Sequence, residues 1–271
     1  MSLSPLERLA LCSLVPSPRT SWDVPYEPEA APPRAGPSLI GGLYVLGPDV
    51  PLRVQVGGTC AGNAVAQAIE IGHHLLREPC PPVSGTGLWA EGQLLAAPIG
   101  ADVTPDAGAW VQRVIQAAAV WGWPSRAEHA EEGLQALDAG ALGEIVTRAR
   151  GATTIESRLL DPGFLGFLGL GQSRAELARQ ALREGWVLVT SGLVDERFAA
   201  AAPGDTIGAC TGGGGHALCV DGYREHDGAW AVRDTWGRGI GEPTLARQRL
   251  WGDDGWLSTR WEVRAVRVVR R

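Results

Sequence analysis

The chain is poor in the features that mark several large classes of protein. Its five cysteines (Cys12, Cys60, Cys80, Cys210 and Cys219) contain no pair at C-x-x-C spacing. The odd count and irregular spacing disfavour a zinc site or a disulfide framework, and the compartment expected is a reducing cytoplasm. No apolar run is long enough to span a bilayer. The opening Met1-Ser2-Leu3-Ser4-Pro5-Leu6-Glu7-Arg8 lacks the basic start and apolar core of a secretory signal, so export is not expected. Basic charge is not in excess. Thirty acidic residues against 24 basic ones give a net charge of -6, which argues against nucleic acid or an anionic membrane as a partner. Gly212–Gly215 are not followed by Gly-Lys-Ser/Thr, which removes the phosphate-loop reading. His73 and His74 are adjacent and diverge on a helix, and no H-E-x-x-H pattern makes them ligands. The expectation is a chain with no metal and no organic cofactor.

What remains is 271 residues with 45% hydrophobic content, enough for one large domain or two halves that share a cleft. Residues 1–42 form an arm whose prolines stop helix propagation beyond the first dozen residues. Such an arm either packs loosely or wraps along the domain. From residue 43 onward the chain changes character twice. Residues 60–77 carry apolar side chains at helical spacing, and so does Ala107 to Val120, which Trp121-Gly122-Trp123-Pro124 terminates. Leu88–Leu95 predicts a short helix between them. Beyond residue 150 one more helix is marked by Ser173 at its N-cap and Glu176 at the capping-box position. It ends at Arg183 and leads into the β-rich run Trp186–Thr190. His216–Tyr223 and Trp230–Asp234 read as strands joined by Glu225-His226-Asp227-Gly228, and Trp261–Val269 alternates as a half-buried strand. The class is α+β, helical over roughly 43–150 and β over roughly 151–271.

Two distant segments carry chemistry. Gln55-Val56-Gly57-Gly58-Thr59-Cys60 puts a thiol where a helix begins, and a helix N-terminus with a neighbouring imidazolium favours thiolate. The bland alternative is an inert buried thiol, but a Gly-rich helix start is a poor place to fill a core with sulfur. The second segment holds His216, entered through Gly215, and then Asp234-Thr235-Trp236-Gly237. Side chains alternate along a strand, so Asp221 faces away from His216 unless a bulge intervenes, whereas Asp234 can reach it from a neighbouring strand. Trp236 would shield that contact from water. Cys80, Cys210 and Cys219 read as structural thiols.

The order Gln, Cys, G-H-A, then D-x-W-G resembles the papain-like cysteine peptidases from about Leu43 to the C-terminus. The resemblance implies a two-lobed fold with the cleft between a helical and an antiparallel β lobe. It also implies roles. Cys60 is the nucleophile, His216 the base, Asp234 the group that orients the base, and Gln55 an oxyanion-hole donor, with Trp236, Gly58 and Gly215 in support. Gly57 stands where secreted relatives carry a disulfide cysteine. Two further departures are local: Asp234 replaces an asparagine, and Gln55 precedes Cys60 by five residues, one fewer than usual. An amide oxygen also accepts from the ring, so Asp234→Asn is expected to keep substantial activity. The implied activity is endopeptidase action on a protein or peptide substrate through a thioester. Amide transfer, deamidation, cleavage of a ubiquitin-like tail, and a peptide-binding pseudoenzyme stay open as alternatives, as does the oligomeric state.

Overall fold

The computed structural model describes residues 23–28, 38–40, 42–96, 108–127, 129, 153–163, 171–242, 244 and 247–271. Residues 130–150 of the half expected to be helical and most of the arm lie outside these. In chain order the elements begin with strands β1 (Ser38–Ile40) and β2 (Leu43–Val45). Three helices follow: α1 (Cys60–Leu76), α2 (Gly85–Ala96) and α3 (Val111–Trp121). Next come β3 (Thr153–Leu159), α4 (Arg174–Arg183), β4 (Val187–Val194), α5 (Glu196–Ala200) and β5 (Thr206–Ile207). The chain closes with β6 (Gly214–Arg224), β7 (Trp230–Arg233), β8 (Leu250–Gly252), α6 (Asp254–Ser258) and β9 (Glu262–Arg270). The fold is α+β and two-lobed.

One sheet runs in the order β3-β9-β4-β6-β7-β8-β5, and β2, itself paired with β1, adds to β6. All pairs are antiparallel except β5 with β8. Helix α1 lies between the lobes, with α2 and α3 on one side and β4, β6 and β9 on the other. Its composition explains the position. Ala61, Ala64, Ala66 and Ala68 are fully buried, and their small side chains let neighbours approach from every direction. At Gly62 even a methyl group is too large, because a Cβ there would overlap the carbonyl oxygen of Gly85 and the backbone of Trp89. The first turn of α1 and the start of α2 therefore touch backbone to backbone.

Ser173 caps α4, accepting from the Glu176 N–H, while the Glu176 carboxylate accepts from the Ser173 N–H at 2.6 Å. Helix α3 stops at Gly122, whose φ of 93° no L side chain favours. The tail strand departs from the half-buried pattern. Glu262 through Val266 are buried on both faces of β9, because Arg264 donates to Glu262 at 2.7 Å and also pairs with Asp23. That contact docks arm residues 23–28 on the sheet, where the Tyr26 N–H donates to Leu159 O at 2.9 Å and the Tyr26 hydroxyl to Glu184 at 2.6 Å. This stretch of the arm wraps along the domain.

All 24 basic residues are arginines, and several are buried with carboxylates. Asp221 accepts from Arg233 Nε at 2.6 Å and from Arg249 Nη2 at 2.9 Å, and none of the three meets solvent appreciably. Arg233 also donates to Val50 O at 2.8 Å and to Gly47 O, so the cluster joins β6 and β7 to the segment that leads to Cys60. Asp221 is the extra residue of a bulge between Val220 and Gly222, which gives its carboxylate room to meet both guanidinium groups.

Glu91 on α2 is the opposite case. It is fully buried and neither carboxylate oxygen has a hydrogen-bond partner among the described residues. Burial pushes its pKa up to about 8 from an ordinary 4.5. A carboxyl group with a raised folded-state pKa favours folding fully below the unfolded value and loses that contribution as the pH climbs to the folded one. Thermal melts of the wild type are therefore expected to fall between pH 4.5 and 8. Glu91→Gln removes that slope and gains on the order of 4 kcal/mol over the wild type at pH 8, with little difference at pH 4. Parallel slopes would refute the assignment.

Candidate active site

Cys60 is the first residue of α1. Thr59 precedes it at the N-cap, yet its hydroxyl does not cap the helix and instead donates to Val56 O at 2.8 Å. With no side-chain cap, N–H groups at the head of α1 stay available where charge would develop on a carbonyl attacked by sulfur. The turn before Cys60 is held from behind. Gly57 has a φ of 58°, Asn63 Nδ2 donates to Thr59 Oγ1 at 3.0 Å, and Arg53 donates to Asn63 at 3.2 Å and to Glu70 at 2.6 Å. Gly58 is buried within this turn.

His216 sits in β6, paired with Gly192 of β4. The strand is entered at Gly213, whose φ is 88° and where a Cβ would overlap Val194 O. Of the four glycines it is Gly213 whose conformation excludes a side chain, while Gly215 is an ordinary buried strand residue opposite Leu193. Cys219 pairs with Arg233 across β6 and β7. Extending that register puts position 236 opposite His216 and position 234 two residues along on the same face. The Trp236 ring stacks on the imidazole, with centroids 4.5 Å apart, and Phe198 meets it edge-on at 6.0 Å.

The structure brings Cys60, His216 and Asp234 together. His216 Nε2 lies 3.8 Å from Asp234 Oδ1 in a site sealed from solvent. This leaves Nδ1 as the ring nitrogen for the thiol. Full burial by itself lowers the pKa of His216. The neighbouring Asp234 and Cys60 and their charges outweigh that loss and hold it above its ordinary value. Asp221 is fully committed to Arg233 and Arg249 on the other face. Gln55 joins the same site. Its N–H donates to Thr235 O at 2.7 Å, its Oε1 accepts from the Thr235 hydroxyl at 2.5 Å, and its Nε2 donates to Gly57 O at 2.8 Å. The amide thus bridges the turn before Cys60 and the segment after Asp234.

One member of the site is invisible in the sequence motif. Arg238 Nε donates to Asp234 Oδ2 at 2.6 Å, and its guanidinium lies 4.8 Å over the Phe198 ring and 4.9 Å over Trp236. Burial pushes the Asp234 carboxyl up, but the Arg238 charge and the contact with His216 more than reverse it and hold the group at about 2. Arg238 alters the expectation for Asp234→Asn, since that change strands a buried guanidinium. The available signal was the spacing Asp234-x-x-x-Arg238. Gly237 and Gly239, on either side of Arg238, both have positive φ. Among the described residues no cluster of His, Cys, Asp and Glu could hold a metal ion.

This architecture is shared with solved cysteine proteases. Xylellain from Xylella fastidiosa superposes with a TM-score of 0.67 at 18% identity, covering 96% of each chain. Procathepsin B S9 of Trypanosoma congolense gives 0.67 at 12% identity over 99% of this chain and 90% of its own. Digestive procathepsin L 3 of Tenebrio molitor larvae gives 0.64 at 14% identity over 98% and 79%. No family model and no curated protein sequence matches the chain. The fold is that of the papain-like cysteine proteases.

The other described thiols are held in their protonated form. Burial pushes Cys80 up to about 12 and raises Cys210 and Cys219 as well. Iodoacetamide at pH 7 is therefore expected to modify Cys60 at least about tenfold faster than Cys80, Cys210 or Cys219 in the folded protein. Peptide mapping that finds any of those three labelled first would contradict this.

Proposed function

We propose that the chain is a cysteine endopeptidase that cleaves a protein or peptide substrate through a Cys60-His216-Asp234 triad. The observation that carries the reading is the placement of one buried imidazole between a thiol at an uncapped helix start and a carboxylate. Cys60 thiolate attacks the scissile carbonyl, and the electron pair moves to oxygen. The Cys60 N–H and the second Nε2–H of Gln55, whose other N–H is held by Gly57 O, stabilise that oxyanion. Imidazolium at His216 then gives its proton to the leaving amine, and a thioester remains. Neutral His216 next takes a proton from water, hydroxide adds to the thioester, and collapse expels Cys60. Asp234 fixes the ring orientation, and Trp236 and Phe198 keep water from the His216–Asp234 contact. No step draws on a metal or organic cofactor. The four described cysteines are free thiols, which supports a reducing compartment, the cytoplasm.

Incubation with a mixed peptide library, read by mass spectrometry, is expected to yield new N-termini with wild type and none with Cys60→Ala. His216→Ala lowers turnover by roughly three orders of magnitude and leaves the melting profile near wild type, because base and ion-pair partner vanish together. Peptides of unchanged length whose amide mass has shifted would overturn proteolysis in favour of deamidation. An inert Cys60 would leave peptide binding.

A further inference from the structure

We propose that Arg238 is a fourth, positioning member of the triad. Its guanidinium neutralises Asp234, so the ion pair as a whole presents His216 with an uncharged hydrogen-bond acceptor. The proposal deepens the peptidase reading and rests on it for the role of His216, but its geometry stands on separate contacts. The two oxygens of Asp234 are unequally engaged. Oδ2 is bonded to Arg238 at 2.6 Å, while Oδ1 faces His216 at 3.8 Å without a hydrogen bond. The anion is thus compensated chiefly by a permanent cation and only secondarily by a ring that must gain and lose a proton in each cycle. Arg238 is itself fixed at three points. Nη1 donates to Phe198 O at 2.6 Å and to Ala201 O at 3.1 Å at the end of α5, and the guanidinium plane covers Trp236. Trp236 in turn lies on the imidazole. One side chain therefore sets the charge of the acid, the position of its free oxygen and the ring that seals the contact.

The reason for such a device is electrostatic. An uncompensated carboxylate beside a fully buried imidazole would hold the imidazolium too tightly to release its proton to a leaving amine. A neutral pair keeps the orienting bond and relaxes that hold. The charged and titratable groups that act on His216 are Cys60 from α1 and Asp234 from the segment after β7, while Arg238 and His216 act on Asp234. Phe198 and Trp236 complete the walls with uncharged rings.

Charge compensation makes a prediction of opposite signs that a merely structural arginine does not. In full-length protein carrying Cys60→Ala, so that the ring titrates free of the thiol, His216 is followed by imidazole NMR and assigned with His216→Ala. Arg238→Met is expected to raise the His216 pKa by about one unit, because Asp234 now acts alone, and Asp234→Asn to lower it by about as much, because Arg238 is left uncompensated. The double variant Asp234→Asn/Arg238→Met returns the value to within about half a unit of the parent and recovers most of the melting temperature lost in Asp234→Asn. Shifts of one sign in both single variants, or none, would overturn the proposal. If Arg238→Met does not fold, the stability comparison decides: rescue of Asp234→Asn by the second change supports compensation, and failure to rescue refutes it. These readouts need no turnover. Absence of peptide cleavage by the enzyme with Cys60 intact would refute the peptidase reading alone.

Discussion

A carboxylate with two guanidinium groups, sealed from water, holds the two halves of the site in register. Asp221 gathers Arg233 and Arg249, and Arg233 reaches on to the backbone at Gly47 and Val50. The strand that carries His216, the strand that ends before Asp234 and the segment leading into α1 thereby share one buried cluster. Such clusters add little net stability, because desolvation offsets attraction, but removing one partner leaves a bare buried charge and costs roughly 3–5 kcal/mol. Their value here is geometric. A sliding of β7 against β6 would carry Asp234 away from His216, and it cannot occur without unpairing Asp221.

The same logic recurs at smaller scale. Glu262 and Arg264 close a second network that takes in Asp23 from the arm, and Asp234 with Arg238 forms a third beside His216. Every cation in these networks is an arginine. A planar group with fixed donors can serve one carboxylate and several carbonyl oxygens at once, and it lies flat on aromatic rings, as Arg238 does on Phe198 and Trp236. A lysine could match the charge but neither the directions nor the stacking.

What the sequence made legible was local. The start of α1 at Cys60, the capping box at Ser173, the break at Gly122 and the strand around His216 each follow from residues within a few positions, because caps, breakers and alternation act at short range. Alternation along the strand set Asp221 apart from His216, but a bulge at Asp221 interrupts that alternation, and it is Arg233 and Arg249 that hold the carboxylate elsewhere. What was hidden is long-range. Strand β3 has no distinctive pattern and is defined by its pairing with β9. The helices α5 and α6 are five residues each, too short to show a period. Arg264 in the tail is buried against its neighbour Glu262 and against Asp23, which comes to meet it from far away in the chain. Arg238 stands between two glycines, Gly237 and Gly239, with nothing local to mark it out. Its role depends on where α5 ends, and no feature near residue 238 encodes that.

The contact of Gly62 with Gly85 and Trp89 has a mechanical consequence. Backbone meets backbone there, with no side chain between to change rotamer and absorb displacement. Helices α1 and α2 are therefore coupled like two links welded at one point. Displacement of one helix must carry the other with it, because the contact has no side chain that could yield. Cys60, at the head of α1, belongs to that stiff pair and keeps its place relative to the start of its own helix.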